Sequence, residues 1–252
     1  MPFSLRAAVK EVQDVSFLTA RAFIGAFRRP YYVRDTLVQM ESIGVGSIPV
    51  VLLTGFFTGA VLALQTAKTL TTFGAVGETG RAVAISLVRE LGPVIGSLMV
   101  TGRAGSGIAS ELGSMVVTEQ VNAMRALGTD PVKKLVVPRV LASIAMMPLL
   151  TVIGDTFGIL GGMAVATGKI HISSGRFLSS AWKGLNHVDL AGGLIKPLFF
   201  GAILALVGCH CGLRTHGGTQ GVGRSTTQAV VAASVLILVF DFLLSNIILL
   251  YT

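Results

Sequence analysis

Charge is scarce in this sequence. Asp, Glu, Lys and Arg make up 13% of its 252 residues, about half the roughly 25% of an ordinary soluble domain. A water-soluble globule of this length needs a charged surface, and a disordered chain needs charge with little hydrophobicity. Both are excluded, because 52% of the residues are apolar and the mean hydropathy is +0.77. Cysteine is almost missing. Cys209 and Cys211 stand at i and i+2, where helical side chains point in different directions, so no disulfide framework is expected. Aromatics amount to 7%, with one Trp. The N-terminus lacks an apolar run followed by a cleavage site, so neither a removable signal nor a transit peptide is expected.

What is present points to a bundle of membrane helices, all-α in class. Glycine supplies 31 residues, well above the usual roughly 7%, and small residues let membrane helices approach closely. The net charge of +8 fits Lys and Arg at the cytoplasmic ends of spans. The basic residues are dispersed, which weighs against nucleic-acid binding.

Five spans are predicted. No charge interrupts the chain between Glu41 and Lys68, long enough at about 1.5 Å per residue to cross a core of about 30 Å. Span one is placed at 43–66. Span two, 82–113, contains Arg89, Glu90, Arg103 and Glu111. Span three, 137–167, holds Asp155. Span four, 190–213, has Lys196 near one end, and span five, 225–250, contains Asp241. Ahead of them residues 1–40 form an N-terminal amphipathic region, with 41–252 as the transmembrane domain. Within 3–29, Phe17, Ile24 and Phe27 share a helical face with Arg21, Arg28 and Arg29 off it. That pattern suits a helix lying in the membrane interface, or a soluble helix packed on a partner.

With the N-terminus inside, the inner segments hold twelve basic residues, among them Arg6, Lys10, Arg21, Arg125, Lys133, Lys134, Arg139, Arg214 and Arg224. The outer segments hold six: Lys68, Arg81, Lys169, Arg176, Lys183 and Lys196. The positive-inside rule then puts the N-terminus in the cytoplasm and the C-terminus on the far side. The inner loop between spans two and three carries a short helix over about 118–128. Thr118 serves as its N-cap, Glu119 meets the helix dipole, and Gly128 with Asp130-Pro131 ends it. It either connects two spans or docks a cytoplasmic partner.

Glycine stripes at Gly55 and Gly59, at Gly154, Gly158 and Gly162, and at Gly208 and Gly212 read as helix-packing positions. Ionisable residues at membrane depth are candidates for function. Arg89 and Glu90, beside Gly92-Pro93, either pair across helices or line a polar cavity. Arg103 and Glu111 fall on roughly one face. Asp241 and Asp155 stand among apolar neighbours, Asp155 as a structural partner and Asp241 with either role. Gly218, Gly223, Arg224 and Ser225 imitate a phosphate loop, but the segment lies between spans, arginine replaces lysine, and a glycine-rich inner loop opening span five accounts for it. Ser225, Thr226 and Thr227 read as capping hydroxyls. Cys209, His210, Cys211 and His216 match no zinc spacing. No metal, cofactor or catalytic pair is expected, so the chain is not read as an enzyme.

Several blocks in order resemble the MlaE/YrbE permease family, the membrane subunits of ABC transporters that work with MCE-domain proteins. They are Leu87–Val94 (LVRELGPV), Ala104-Gly105-Ser106 through Ala109-Ser110-Glu111-Leu112-Gly113, Thr118-Glu119-Gln120, Asp130-Pro131, Val137-Pro138-Arg139, Gly221–Thr227 (GVGRSTT) and Asp241-Phe242. The resemblance covers roughly residues 43–250. It implies a five-span homodimer of the bacterial inner membrane with an interfacial N-terminal helix. It implies a cytoplasmic ATPase that alone uses ATP, gripped through 118–128 by Glu119, Gln120, Val121, Met124, Arg125 and Leu127. It further implies a hexameric periplasmic MCE-domain protein, a small STAS-domain protein, and lipid cargo, most often phospholipid, moved between inner and outer membranes. A lipid cavity between the first and last spans would involve Gly55, Gly59, Leu62 and Gln65 with Leu236, Phe240, Asp241 and Leu244, and Glu90 with Arg89 would meet the headgroup. The rival is a stand-alone secondary transporter or channel using Asp155, Asp241 and Glu90 as an ion relay.

Overall fold

The structure is a computed structural model that describes residues 5–250. Residues 3 and 4 of the predicted amphipathic stretch and the side chain of Arg6 lie outside the described residues. The described chain is helical, without strands, and carries five helices long and apolar enough to span a membrane. Two helices precede the first full crossing: α1 (Leu5–Ala26) and α2 (Val33–Ile43), separated by Pro30, whose ring cannot continue a helix. Helix α3 (Ile48–Thr72) completes span one, with Pro49 in its first turn, where no amide hydrogen is missed.

Span two is one helical run, Val76–Val117. It comprises α4 (Thr79–Ser86), a π-helical turn at Leu87–Leu91, α5 (Gly92–Val100), a second π turn at Thr101–Gly105, and α6 (Ser106–Val117). Helix α7 (Gln120–Ala126) follows. Span three opens with a π turn at Val132–Val136 and continues as α8 (Val137–Gly168). Next come α9 (Ser174–Gly184), α10 (His187–Leu213) as span four, and α11 (Gly218–Leu249) as span five.

The residues cluster into two compact units, and the chain crosses between them once within each span. The first contains Met1–Val45, Thr101–Ala145 and Gly201–Ile237. Its core includes Ile108, Leu112, Val136, Leu204 and Ile237. A Cβ at Gly212 would lie 2.8 Å from Leu112 Cβ and 2.9 Å from Ala109 O, so glycine is what lets spans two and four touch here. Arg139 is buried and pairs with Glu111 at 2.7 Å. Arg103 instead donates to Ser42 O at 2.9 Å. Arg103 sits in the π turn Thr101–Gly105, whose extra residue shifts the helical phase.

The second unit contains Gly46–Val100, Met146–Phe200 and Leu238–Thr252. Spans one and three meet along glycine. A Cβ at Gly55 would lie 2.4 Å from Gly154 O, and one at Gly59 would lie 1.9 Å from Gly158 O. Ala63, Val83, Leu87, Ala166 and Phe177 form a cluster at one end. Helix α9 contributes Phe177 and Ala181 to the interior, while Trp182 stays 79% exposed. This helix has an apolar stripe on one side and was not foreseen from the sequence.

Cys209, His210 and Cys211 lie inside α10, within the span predicted for them; Cys209 is buried, and both thiols are free. Two expectations about the start of span five are corrected. The glycine-rich segment is the first turns of α11. Its hydroxyls do not cap: Thr226 and Thr227 donate back to Val222 O and Gly223 O, and Thr215 and Ser225 hydrogen-bond each other at 3.0 Å.

Candidate functional site

The site begins with a proline. Pro93 has no amide hydrogen, so it cannot close an α-helical bond to the carbonyl of Arg89. The backbone around it is already loosened by the π turn Leu87–Leu91, which holds Arg89 and Glu90. Span four fills the gap. Gly193 lets it come close, since a Cβ there would lie 2.4 Å from Val88 O. Three residues on, Lys196 Nζ donates to Arg89 O at 3.2 Å.

Lys196 is the hub of a polar cluster, and its side chain has no exposed surface. Besides Arg89 O it donates to Glu90 Oε2 at 2.5 Å and to Ser245 Oγ at 2.8 Å. Those three acceptors use the three hydrogens of the ammonium. Ser245 passes its own hydrogen to Glu90, at 3.1 and 3.2 Å from the two oxygens. Asp241 Oδ1 lies 3.0 Å from Nζ yet accepts no hydrogen bond. Arg89 faces Asp189 at 3.7 Å, and Asp189 also accepts from the Asn186 amide at 3.2 Å, half of a capping box at the start of α10.

Two cations thus face three carboxylates among the described residues. Lys196 and Asp189 are sealed in, whereas the side chains of Glu90 and Asp241 are 40% and 18% exposed. Buried charge is tolerated when paired and hydrogen-bonded, and here the pairing leaves one carboxylate of capacity on the accessible side.

Asp241, seen in the sequence as isolated, belongs to this cluster. Lys196, assigned above to an outer segment, is its centre, and neither Asp189 nor Ser245 was singled out. The signal for Lys196 was its place inside an apolar run three residues after Gly192-Gly193 and just before Pro197. Asp155 was foreseen as a structural partner but has no ion pair among the described residues. It is buried, its Oδ1 has no hydrogen-bond partner, and it packs so close to Gly92 that a Cβ there would lie 1.7 Å away.

Leu62 and Gln65 line an open hollow of about 400 Å³ with Phe57, Val61 and Leu91, next in sequence to Glu90. Gly59 is buried against span three, and Gly55 faces Gly154, so both are packing positions. Phe240 and Leu236 are exposed on span five and Leu244 half-buried. Span five is only 11% buried and span one 28%, against 39–50% for the others.

The segment predicted over 118–128 is shorter than expected. Thr118 ends α6, donating to Ser114 O at 2.8 Å, and does not cap the next helix. Glu119 takes a left-handed conformation at φ 61°, so α7 has only the seven residues Gln120–Ala126. Val121 points inward and is buried, which removes it from any docking face. Glu119, Gln120 and Arg125 are exposed, Met124 is half-buried, and Leu127 is 83% exposed. Asn122 bridges them, donating to Glu119 and accepting from Arg125 at 3.1 Å.

The model of the family "Permease MlaE" matches residues 36–247, the stretch that carries the cluster and α7. The chain belongs to the MlaE permease family. A protein named "Probable ABC transporter permease protein" from Rickettsia typhi is 42% identical over 94% of this chain and 93% of its own length. The chloroplastic protein TRIGALACTOSYLDIACYLGLYCEROL 1 of Arabidopsis thaliana is 36% identical over 98% of this chain and 71% of its own. The intermembrane phospholipid transport system permease protein MlaE of Haemophilus influenzae is 36% identical over 83% and 80%. The family is one of transport permeases, and the multi-pass helical membrane architecture foreseen from the sequence is the one observed.

Proposed function

We propose that this chain is the membrane permease of an ABC transporter that moves lipids, phospholipids in the first place, between the inner and outer membranes, driven by a separate ATPase. The observation that carries this is the Lys196 cluster: a charged, hydrogen-bonded centre inside apolar spans, with Glu90 and Asp241 partly exposed and Glu90 next in sequence to Leu91, which lines a hollow with Leu62 and Gln65. Acyl chains would lie on the apolar walls and the headgroup at Glu90, Arg89 and Asp241. A headgroup in hydrocarbon costs several kcal/mol, and a polar site at that depth lowers the barrier.

The thin cover on spans one and five supports a homodimer in which these spans face a second copy around the lipid, with Phe240 and Leu244 toward it. The exposed Glu119, Gln120, Arg125 and Leu127 would seat the ATPase on the cytoplasmic side, with Met124 beneath them. An MCE-domain protein would continue the path on the other side. ATP supplies direction only through differential affinity of the partner for two states of the bundle. Family membership tells against a lone ion-driven transporter.

The test is mass spectrometry of the lipids retained by the purified complex, with Glu90→Ala alongside. Retained phospholipid that falls in the variant while the complex stays assembled supports the reading. Phospholipid retention indifferent to Glu90, or a permease that purifies alone and follows an ion gradient, overturns it.

A further inference from the structure

A second site lies beneath α1, in the first unit. The helix is tied down at its polar residues: Arg214 reaches Asp14 at 3.2 Å and Glu11 at 3.5 Å, and Arg21 reaches Asp130 at 3.1 Å. It touches α8 at Gly25, where a Cβ would lie 3.1 Å from Val137 Cγ2. Beside that contact the packing opens. A cavity of about 190 Å³ is walled by Ala22, Phe23, Phe27, Leu141, Ile144 and Leu206. A second, of about 220 Å³, lies against Tyr31, Tyr32, Thr36 and Lys133. Ala26, Val137 and Leu141 line both, so the two form one groove. Both cavities are open on one side, and an exposed apolar groove of this kind marks a site that hydrocarbon can cover.

The two ends of the groove differ in chemistry. One is hydrocarbon. The other is basic and aromatic: Lys133 donates to the Arg29 carbonyl, and the exposed Arg28 and Arg29 immediately precede Pro30, which lines this end. The stretch 28–34, RRPYYVR, has three arginines and no acid, and no carboxylate lines either cavity. Tyr beside clustered Arg and Lys is the composition of a membrane–water boundary. Phe17 and Ile24 outside the groove, and Phe23 and Phe27 at its wall, are more than half exposed on α1, a face that fits hydrocarbon.

We propose that this groove is a binding site for an anionic glycerophospholipid of the surrounding bilayer, one acyl chain in the apolar cavity and the phosphate at Lys133, Arg28 and Arg29. The dimensions suit a string of methylenes and not a helix, which with its side chains is about 10–12 Å across. The lipid is a resident that seats α1, apart from the cargo path at Lys196. It rests on the membrane setting, not on the identity of the cargo.

The test uses the assembled complex in bilayers of phosphatidylethanolamine and phosphatidylglycerol containing a phosphatidylglycerol with a photoactivatable acyl chain. Labelling is expected on residues 19–27 and 137–144, competed by unlabelled phosphatidylglycerol and not by phosphatidylethanolamine. Leu141→Trp, at a half-open position that tolerates bulk, should cut it about fivefold or more. Arg28→Glu with Arg29→Glu should abolish the preference for phosphatidylglycerol. Glu90→Ala should leave groove labelling unchanged; if it removes it, the lipid is cargo and the resident site is wrong. Labelling spread evenly along all spans, labelling indifferent to Leu141→Trp, or a partner polypeptide crosslinked in the groove would each overturn the proposal, whatever becomes of the transport reading.

Discussion

The ammonium of Lys196 donates to the carbonyl of Arg89, the one to which Pro93, four residues on, cannot donate. A backbone defect in span two and a buried charge in span four therefore satisfy each other. The same Nζ also holds Glu90, Asp241 and Ser245.

Lys196→Met should be the most damaging single change in the cluster. It strands two carboxylates and a carbonyl, and removing one partner of a buried pair costs about 3–5 kcal/mol. The thermal midpoint of the purified protein should drop by several degrees or more. Adding Asp241→Asn should recover part of the loss, because it removes one stranded charge. A double-mutant cycle by thermal unfolding checks this.

Gly59→Ala should disrupt the seam between spans one and three, as its Cβ would fall 1.9 Å from Gly158 O. Backbone cannot step aside as a side chain can, so a loss of at least 1–3 kcal/mol is expected. Gly96→Ala is the control. Nothing lies within 4 Å of its Cβ, and helix propensity favours alanine by up to about 1 kcal/mol. Yield and thermal midpoint should separate the two variants.

Gly92→Ala should evict Asp155, whose Oδ1 occupies the place of the new methyl. Paired with Asp155→Ala, which empties that space, it should be much better tolerated than alone. Thermal unfolding of both singles and the double reads the coupling. Additive effects would mean the two residues do not meet.

Leu127→Asp and Glu119→Lys change exposed positions and should alter the stability of the bundle by no more than about 0.5 kcal/mol. Both should weaken capture of the ATPase in a pull-down. Val121→Asp, by contrast, buries a charge and should destabilise the permease itself.

The spans were legible because hydrocarbon thickness demands long apolar runs, as in 187–213 and 218–248. The cluster was half legible. Arg89 and Glu90 stood out beside Gly92-Pro93, but Lys196 resembled a terminal snorkelling lysine, and only the close pass at Gly193 turns it inward. Asp155 was misjudged because its surroundings depend on Gly92 in another span. The break at Glu119 was hidden by Thr118, which suits an N-cap as well as the back-bond it makes. Helix α9 escaped because its stripe is short and flanked by glycine and serine.

The most direct measurement is ATP-driven lipid transfer by the reconstituted complex with Asp241→Asn. Asp241 Oδ1 accepts no hydrogen bond, so the substitution preserves shape and lets the complex assemble. The account predicts that transfer falls about tenfold, the factor that ~1.4 kcal/mol gives. Transfer at the unaltered rate, or transfer that runs on an ion gradient without ATP, would contradict it.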